Sequence, residues 1–259
     1  MDKYTDINAI AIDKWVDAGW EWSVPISHED FVKAKSGKWQ DMPRILLTPR
    51  KSVPMEWYAP FLRNTRLDNV KLLGLACGGG QQMPVFAALG AECTVLDYSD
   101  KQLEHERMVS GREGYPISII KADMTKRLPF EDDSFDLIFH PVSNCFIEDV
   151  FHVWNECFRV LHKGGVLLAG MDNGLNFLVE DDNPLLIVNK LPYNPLRDEK
   201  LYRKCLQTSG SIQFSHTIEE QIGGQLKAGF ILADLYEDSD EDGIGKYVPN
   251  FIATRAVKP

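Results

Sequence analysis

The chain has no apolar run long enough to span a bilayer, so a membrane-spanning helix is not among its organising elements. Its opening, MDKYTDINAI, is acidic and lacks the basic-then-apolar order of a secretory signal; a cytoplasmic location is the expectation. Cysteine is scarce and unpaired in pattern: Cys77, Cys93, Cys145, Cys157 and Cys205 are odd in number, widely spread and form no C-x-x-C pair. A disulfide framework and a zinc site are both disfavoured, as in a reducing compartment. Positive charge is in deficit, 28 Lys and Arg against 38 Asp and Glu, for a net charge of −10. That balance opposes generic binding to nucleic acid, whose phosphates need a basic face. No internal repeat is present, and the spacing of acids in the run Glu237 to Asp242 is too wide for a metal site.

What the sequence does have is concentrated at residues 71–82, Lys-Leu-Leu-Gly-Leu-Ala-Cys-Gly-Gly-Gly-Gln-Gln. The apolar run Leu72 to Ala76 reads as a buried parallel strand. It breaks into Gly78-Gly79-Gly80, and a helical segment Gln82 to Leu89 follows, ending at Gly90. Such a turn serves either as a tight strand-to-helix connection or as a place where a ligand meets bare backbone beside a helix N-terminus. The second strand, Glu92–Asp97, ends in an acid 17 residues beyond Gly80. A carboxylate there suits a ribose, because its two oxygens pair with a vicinal diol through charge-assisted bonds. The dinucleotide pattern G-x-G-x-x-G fails, since counting from Gly78 its last position is Met83. No lysine follows the glycines, which argues against a nucleoside triphosphatase.

The remaining pattern is regular. Ser99 or Asp100 caps a helix to about Arg112, and a third strand, Ile117–Ala122, ends at Asp123. A fourth strand spans Asp136–His140, a helix Val150–Val160, and Lys163-Gly164-Gly165 turns into a fifth strand, Val166–Met171. Alternating strands and helices predict an α/β, doubly wound, mostly parallel sheet with its site along one edge. Upstream, residues 1–70 form an aromatic-rich arm and connection. The arm has a helix over Ile7 to Ala18 stopped by Gly19, and a second capped at Ser27 and running through Ala34. The proline-rich connection 41–70 (Pro43, Pro49, Pro54, Pro60) carries a short helical piece near Trp57 to Leu62. The arm's aromatics either pack onto the sheet or close over a ligand, with Trp20, Trp22 or His28 on its wall.

These motifs together resemble a class I S-adenosylmethionine-dependent methyltransferase, across roughly residues 71–171 and again 213–257. The family's acid-x-Gly-x-Gly-x-Gly corresponds to Gly74-Leu-Ala76-Cys-Gly78-Gly-Gly80, and its second motif to Leu96-Asp97-Tyr98-Ser99. Lys121-Ala122-Asp123-Met124 corresponds to the third. Leu128-Pro129-Phe130-Glu131-Asp132-Asp133-Ser134-Phe135-Asp136 resembles the L-P-F-x-D-x-S-F-D signature, and Leu161-His162-Lys163-Gly164-Gly165 the turn into the fifth strand. The resemblance implies a seven-stranded Rossmann-like domain over 71–259. It implies S-adenosyl-L-methionine as cofactor, S-adenosyl-L-homocysteine as product, and a small-molecule acceptor. A protein or RNA substrate, or a cofactor-binding module without catalysis, are the alternatives, and a monomer or a homodimer are both open. Cofactor contacts are implied for Ala76, Cys77, Gly78, Gly80, Asp97, Tyr98, Gln102, Asp123, Met124 and His140. Asp97 would take the ribose diol, Asp123 the adenine amino group, and Tyr98 or Met124 the ring. Two positions depart from the pattern. Gly74 stands for the leading acid, so Gln81 and Gln82 are candidates to hold the methionine end. Ala76 stands for the first glycine, a mild change provided its φ is negative.

At the fourth strand's end, His140 is a candidate general base and Asn144 a candidate to orient a nucleophile. Asn144-Cys145-Phe146 is not the acidic/Asn-Pro-Pro-aromatic motif of DNA amino methyltransferases. Residues 172–212 form an insertion where the family places a substrate lid, with Phe177, Tyr193 and Tyr202 as expected pocket walls. Gly210–His216 is expected as an extra strand, Thr217 to Glu220 as a capping box opening a helix to Ala228, and Ile231–Tyr236 as a strand. The run Glu237 to Asp242 is expected as a solvated hairpin loop before a last strand, Val248–Ala256.

Overall fold

The computed structural model describes residues 3–39, 45–180 and 183–259; Pro43, Asp181 and Asp182 lie outside the described residues. Two helices open the chain, α1 (Tyr4–Asp17) and α2 (His28–Lys35), and the latter starts where the Ser27 side chain accepts the Asp30 amide. The apolar runs that follow become β1 (Lys71–Leu75), α3 (Gln82–Ala88), β2 (Glu92–Asp97), α4 (Asp100–Glu113), β3 (Ser118–Lys121), β4 (Phe135–His140), α5 (Val150–Val160) and β5 (Leu161–Asp172). Beyond them come a small hairpin, β6 (Val179–Glu180) and β7 (Asn183–Ile187), then α6 (Glu199–Gln207), α7 (Gly224–Ala228), β8 (Ile231–Asp238) and β9 (Phe251–Val257).

The main sheet has seven strands in the order β3-β2-β1-β4-β5-β9-β8. The first five are parallel, and β9 runs antiparallel between β5 and β8. Helices cover both faces, so β1 is buried along Leu72–Leu75 and reads as a continuous apolar run. From β1 the chain steps outward to β2 and β3 on one side, then crosses back from β3 to β4 on the other side of β1. That reversal opens a crevice beyond the carboxyl ends of these strands.

Two hydrophobic clusters lie on opposite faces of the sheet. One joins Leu72, Val95, Leu137 and Leu168 to Trp39, Trp57 and Tyr58 of the N-terminal segment. The other joins Leu73, Ile138 and Leu167 to Trp154 and Val150 of α5. The described residues of the N-terminal segment therefore share the core of the sheet. Their expected helical piece is a single 3₁₀ turn, Met55–Tyr58.

Three expectations about the second half change. Gly210–His216 does not pair as a strand: the Asn8 side chain brackets Ile212, accepting its N–H at 2.7 Å and donating to its carbonyl at 2.8 Å. One amide thus does the work of a neighbouring strand. The helix after the capping box opens as a π turn (Glu219–Gly223) before α7, with Thr217 and Glu220 bonded reciprocally. The acidic run is not merely solvated. Asp238 accepts from Thr48 Oγ1 (2.7 Å) and from the Arg50 and Lys51 amides (2.9 and 2.8 Å), clamping residues 48–51 onto β8.

Candidate active site

The crevice beyond β1, β2 and β4 holds a cavity of about 800 Å3. Its floor begins at Ala76, whose N–H bonds the Leu96 carbonyl at 2.8 Å while its φ is +48°. A negative φ was the condition for a mild substitution, and it is not met. Alanine sits here in the left-handed region that glycine occupies without steric cost. At Gly78 a Cβ would lie 2.7 Å from Gln102 Cβ and 3.0 Å from Asp97 Oδ2. Only bare backbone lets the chain pass this close to the acid. Gly78 N–H donates to Asp97 Oδ2 (3.1 Å) and Ser99 N–H to Oδ1 (3.0 Å). Burial pushes the Asp97 carboxyl up, against these backbone bonds.

Gly74 explains its own departure from the motif. A Cβ there would meet Met83 Sδ at 2.6 Å and Cys77 Cβ at 3.2 Å. The space where the family carries an acid is filled by the residue that also breaks the dinucleotide pattern.

The roof is α1. Thr5, Asn8, Ala9 and Ile12, spaced as one helical face, line the cavity. Polar contacts pin this helix over the strand ends. Lys3 Nζ and Thr5 Oγ1 donate to Asp123 Oδ2 (2.5 and 3.2 Å), Tyr98 O–H to Asp6 (2.6 Å), and Ser99 O–H to Asp13 (2.5 Å). The other Asp123 oxygen takes Thr125 N–H and O–H. Burial would raise Asp123, but the bonds from Lys3 and Thr125 outweigh it and hold the carboxyl below the usual range. Gln81 fixes the glycine turn to the arm, its Nε2 donating to the Glu21 and Val24 carbonyls at 2.8 and 2.9 Å.

Trp20, Trp22, Ala76, Cys77, Gly78, Gln81, Gln82, Asp97, Tyr98, Gln102, Asp123 and Met124 all line the cavity. Seven named candidates stand off it. Gly80 turns toward α4, where a Cβ would meet Val109 Cγ2 at 2.8 Å. His140 is fully buried behind the wall, with Nδ1 2.9 Å from the Leu75 carbonyl oxygen and Nε2 2.9 Å from Asn144 Oδ1. Burial holds its pKa below the usual value, and neither nitrogen faces a substrate. Asn144 is equally occupied, donating to Gln221 at 2.8 Å. His28 is exposed and pairs with Glu113 across α2 and α4. Tyr193 stacks on Phe177 and contacts Cys205 Sγ. Tyr193, Phe177 and Tyr202 form a separate cluster with Phe214, packed against Tyr4 and Ile7 of α1. The insertion after β5 thus backs the roof and contributes no cavity wall among the described residues.

Residues that motif reasoning passed over complete the far end: Leu46 to Arg50, Ser143, Phe146 and Asp240 to Asp242. Arg50 crosses the mouth, its Nε donating to the Asp240 carbonyl (3.0 Å) and its guanidinium pairing with Glu241 (3.0 Å). The Asp238 clamp and these Arg50 contacts bring the distant segments together.

The profile of the methyltransferase-domain family matches residues 73–169. The chain belongs to the S-adenosylmethionine-dependent methyltransferases. The uncharacterized methyltransferase YbaJ of Bacillus subtilis is 40% identical over 97% of both chains. A sterol 24-C-methyltransferase of Aspergillus fumigatus is 31% identical, over 38% of this chain and 27% of its own. Among solved structures, a methyltransferase from Mesorhizobium loti superposes with a TM-score of 0.58 at 21% identity, covering 78% of this chain and 97% of that one, a likeness of fold.

Proposed function

We propose that the protein transfers a methyl group from S-adenosylmethionine to a small-molecule acceptor enclosed beneath α1. The observation that carries this reading is one cavity lined by two unlike kinds of group: a buried carboxylate on a glycine turn, and the aromatic residues Trp20, Trp22 and Phe146 together with Arg50. The volume suits a nucleoside cofactor with a modest partner. The helical roof and the net charge of −10 favour a small acceptor over a nucleic acid strand.

When bound, S-adenosylmethionine supplies a methyl already activated on a sulfonium. The protein's task is therefore to hold and align. Asp97 keeps one lone-pair direction on each oxygen beyond its backbone bonds, enough for two ribose hydroxyls. Gly78 lets the backbone lie against the sugar, and Tyr98 and Met124 flank the place for an adenine ring. Asp123 serves the adenine amino group by sharing Oδ2 with Lys3 and Thr5. Gln82, with only the Cys77 thiol against its Oε1 at 3.5 Å, is the better placed of the two glutamines for the methionine end. Gln81 is committed to the arm. His140 and Asn144 shape the end of β4 from behind, and no general base is assigned.

The test is methyl-labelled S-adenosylmethionine incubated with a metabolite pool under a mass readout. Labelled small molecules are the expected result. Label in protein or RNA overturns the acceptor class, and micromolar cofactor binding without turnover indicates a sensor. Asp97→Ala is expected to weaken S-adenosylhomocysteine binding about 10- to 150-fold, from about 1.5–3 kcal/mol for bonds to a charged group. Calorimetry measures it.

A further inference from the structure

Beneath the glycine turn lies a carboxyl group that the cofactor reading does not use. Glu106, at the middle of α4, is completely buried, and no basic side chain among the described residues pairs with it. Its Oε1 accepts the Gly80 N–H at 2.8 Å, and its Oε2 has no hydrogen-bond partner. Gly80 is a junction. Its φ is +69°, its carbonyl accepts the Ile26 N–H at 2.9 Å, and its Cα packs on Val109 of α4. Whatever moves Gly80 moves the turn against Asp97 and the arm segment carrying Trp20 and Trp22.

We propose that Glu106 is a positioning residue for the cofactor: as a neutral acid it holds the glycine turn in dry packing through the Gly80 N–H, and loss of its proton leaves a buried charge that one N–H cannot offset, which draws water into that packing and loosens the turn. This rests on the cofactor reading above. The physical reason is the donor count. A buried carboxylate with one N–H and one bare oxygen leaves most of its charge uncompensated. A proton on Oε2 removes that charge and leaves the Gly80 bond intact.

The titratable neighbours supply no counter-charge: Asp97 on β2 disfavours the anion, and Cys93 on β2, Cys77 in the turn and Tyr115 beyond α4 are kept neutral by burial. The charged contacts to α4 from α1 and β3 fall on Lys101 and Asp100 in its first turn, and α2 reaches only Glu113 at its last. α3 offers no titratable group. Burial, opposed only by the Gly80 bond, raises the Glu106 pKa to about 8. A raised carboxyl favours the folded turn at low pH and progressively less as pH climbs from the ordinary acid range through about 8.

The experiment follows the Gly80 amide by nitrogen-15 NMR and S-adenosylhomocysteine affinity by calorimetry, from pH 6 to 9.5, in native protein and Glu106→Gln. The amide variant keeps the acceptor for Gly80 and stays neutral. In native protein the Gly80 resonance should titrate near pH 8, and Kd should rise by up to about tenfold per pH unit above it. Glu106→Gln should show neither change and retain native affinity at pH 7. Identical pH profiles in the two proteins, with binding intact, would overturn the role of Glu106 alone. Absence of binding by native protein at every pH overturns the cofactor reading, and the positioning role with it.

Discussion

Ala76 and Gly74 show how far a single position can be read. Alanine at a φ of +48° is strained by contact between Cβ and the backbone, so Ala76→Gly should relieve it. The gain, net of glycine's greater freedom in the unfolded chain, is about 0.5–1 kcal/mol, seen as a higher urea midpoint at unchanged m-value. At Gly74 the direction reverses. Restoring the motif's acid by Gly74→Asp places a carboxylate against Met83 Sδ in a fully apolar layer. A loss of about 3 kcal/mol or more is expected. Removing the obstruction as well, in Gly74→Asp with Met83→Gly, should cost less than the two single changes added together; strict additivity in urea unfolding would rule out the pairing.

At the scale of elements, α1 is the part whose role the sequence understated. Its apolar spacing reads as a helix in an arm whose aromatics pack onto the sheet or close over a ligand. Yet Lys3, Thr5, Asp6 and Asp13 tie it to Asp123 and Tyr98, the residues assigned to the cofactor, and to Ser99, which caps α4. This clasp holds α1 over the place proposed for the nucleoside. Lys3 is 43% exposed, so the pair adds little to stability but does help keep the roof closed. Lys3→Ala should therefore leave the unfolding midpoint within about 0.5 kcal/mol of native while speeding cofactor association severalfold by stopped-flow fluorescence of Trp20 and Trp22. Raising salt should speed the native protein and leave the variant less affected, because screening weakens the same pair. The insertion after β5 supports the roof from outside through its cluster with Phe214, whose ring meets that of Tyr4 of α1 edge-on at 5.3 Å.

For the whole molecule, the alternation of strand and helix and the crossover order place glycine turn, Asp97 and Asp123 at one edge of the sheet. The far end of the cavity is assembled differently. Residues 46–51 and 240–242 are nearly 200 positions apart and meet because Asp238 holds three groups of the earlier segment and Arg50 reaches Asp240 and Glu241. Asp238→Asn removes the charge from those bonds. It should widen the mouth, lower acceptor specificity in product profiling, and leave cofactor affinity near native.

The central elements were legible because their causes are local. Continuous apolar runs mark strands buried on both faces, Ser27, Ser99 and Asp149 cap helices, and glycine marks the turns. Asp97, Gly78 and Asp123 were legible for the same reason, since a strand end fixes what stands beside it. His140 and Tyr193 carry the right chemistry, but side-chain direction and burial are settled by packing across the sheet, which no spacing records. Strand, turn and acid were thus determined by the sequence itself. Which side chains face the cavity, what roofs it, and that Glu106 lies without a counter-charge beneath Gly80 were decided only when distant segments packed, because burial and hydrogen-bond partners are properties of the assembled fold.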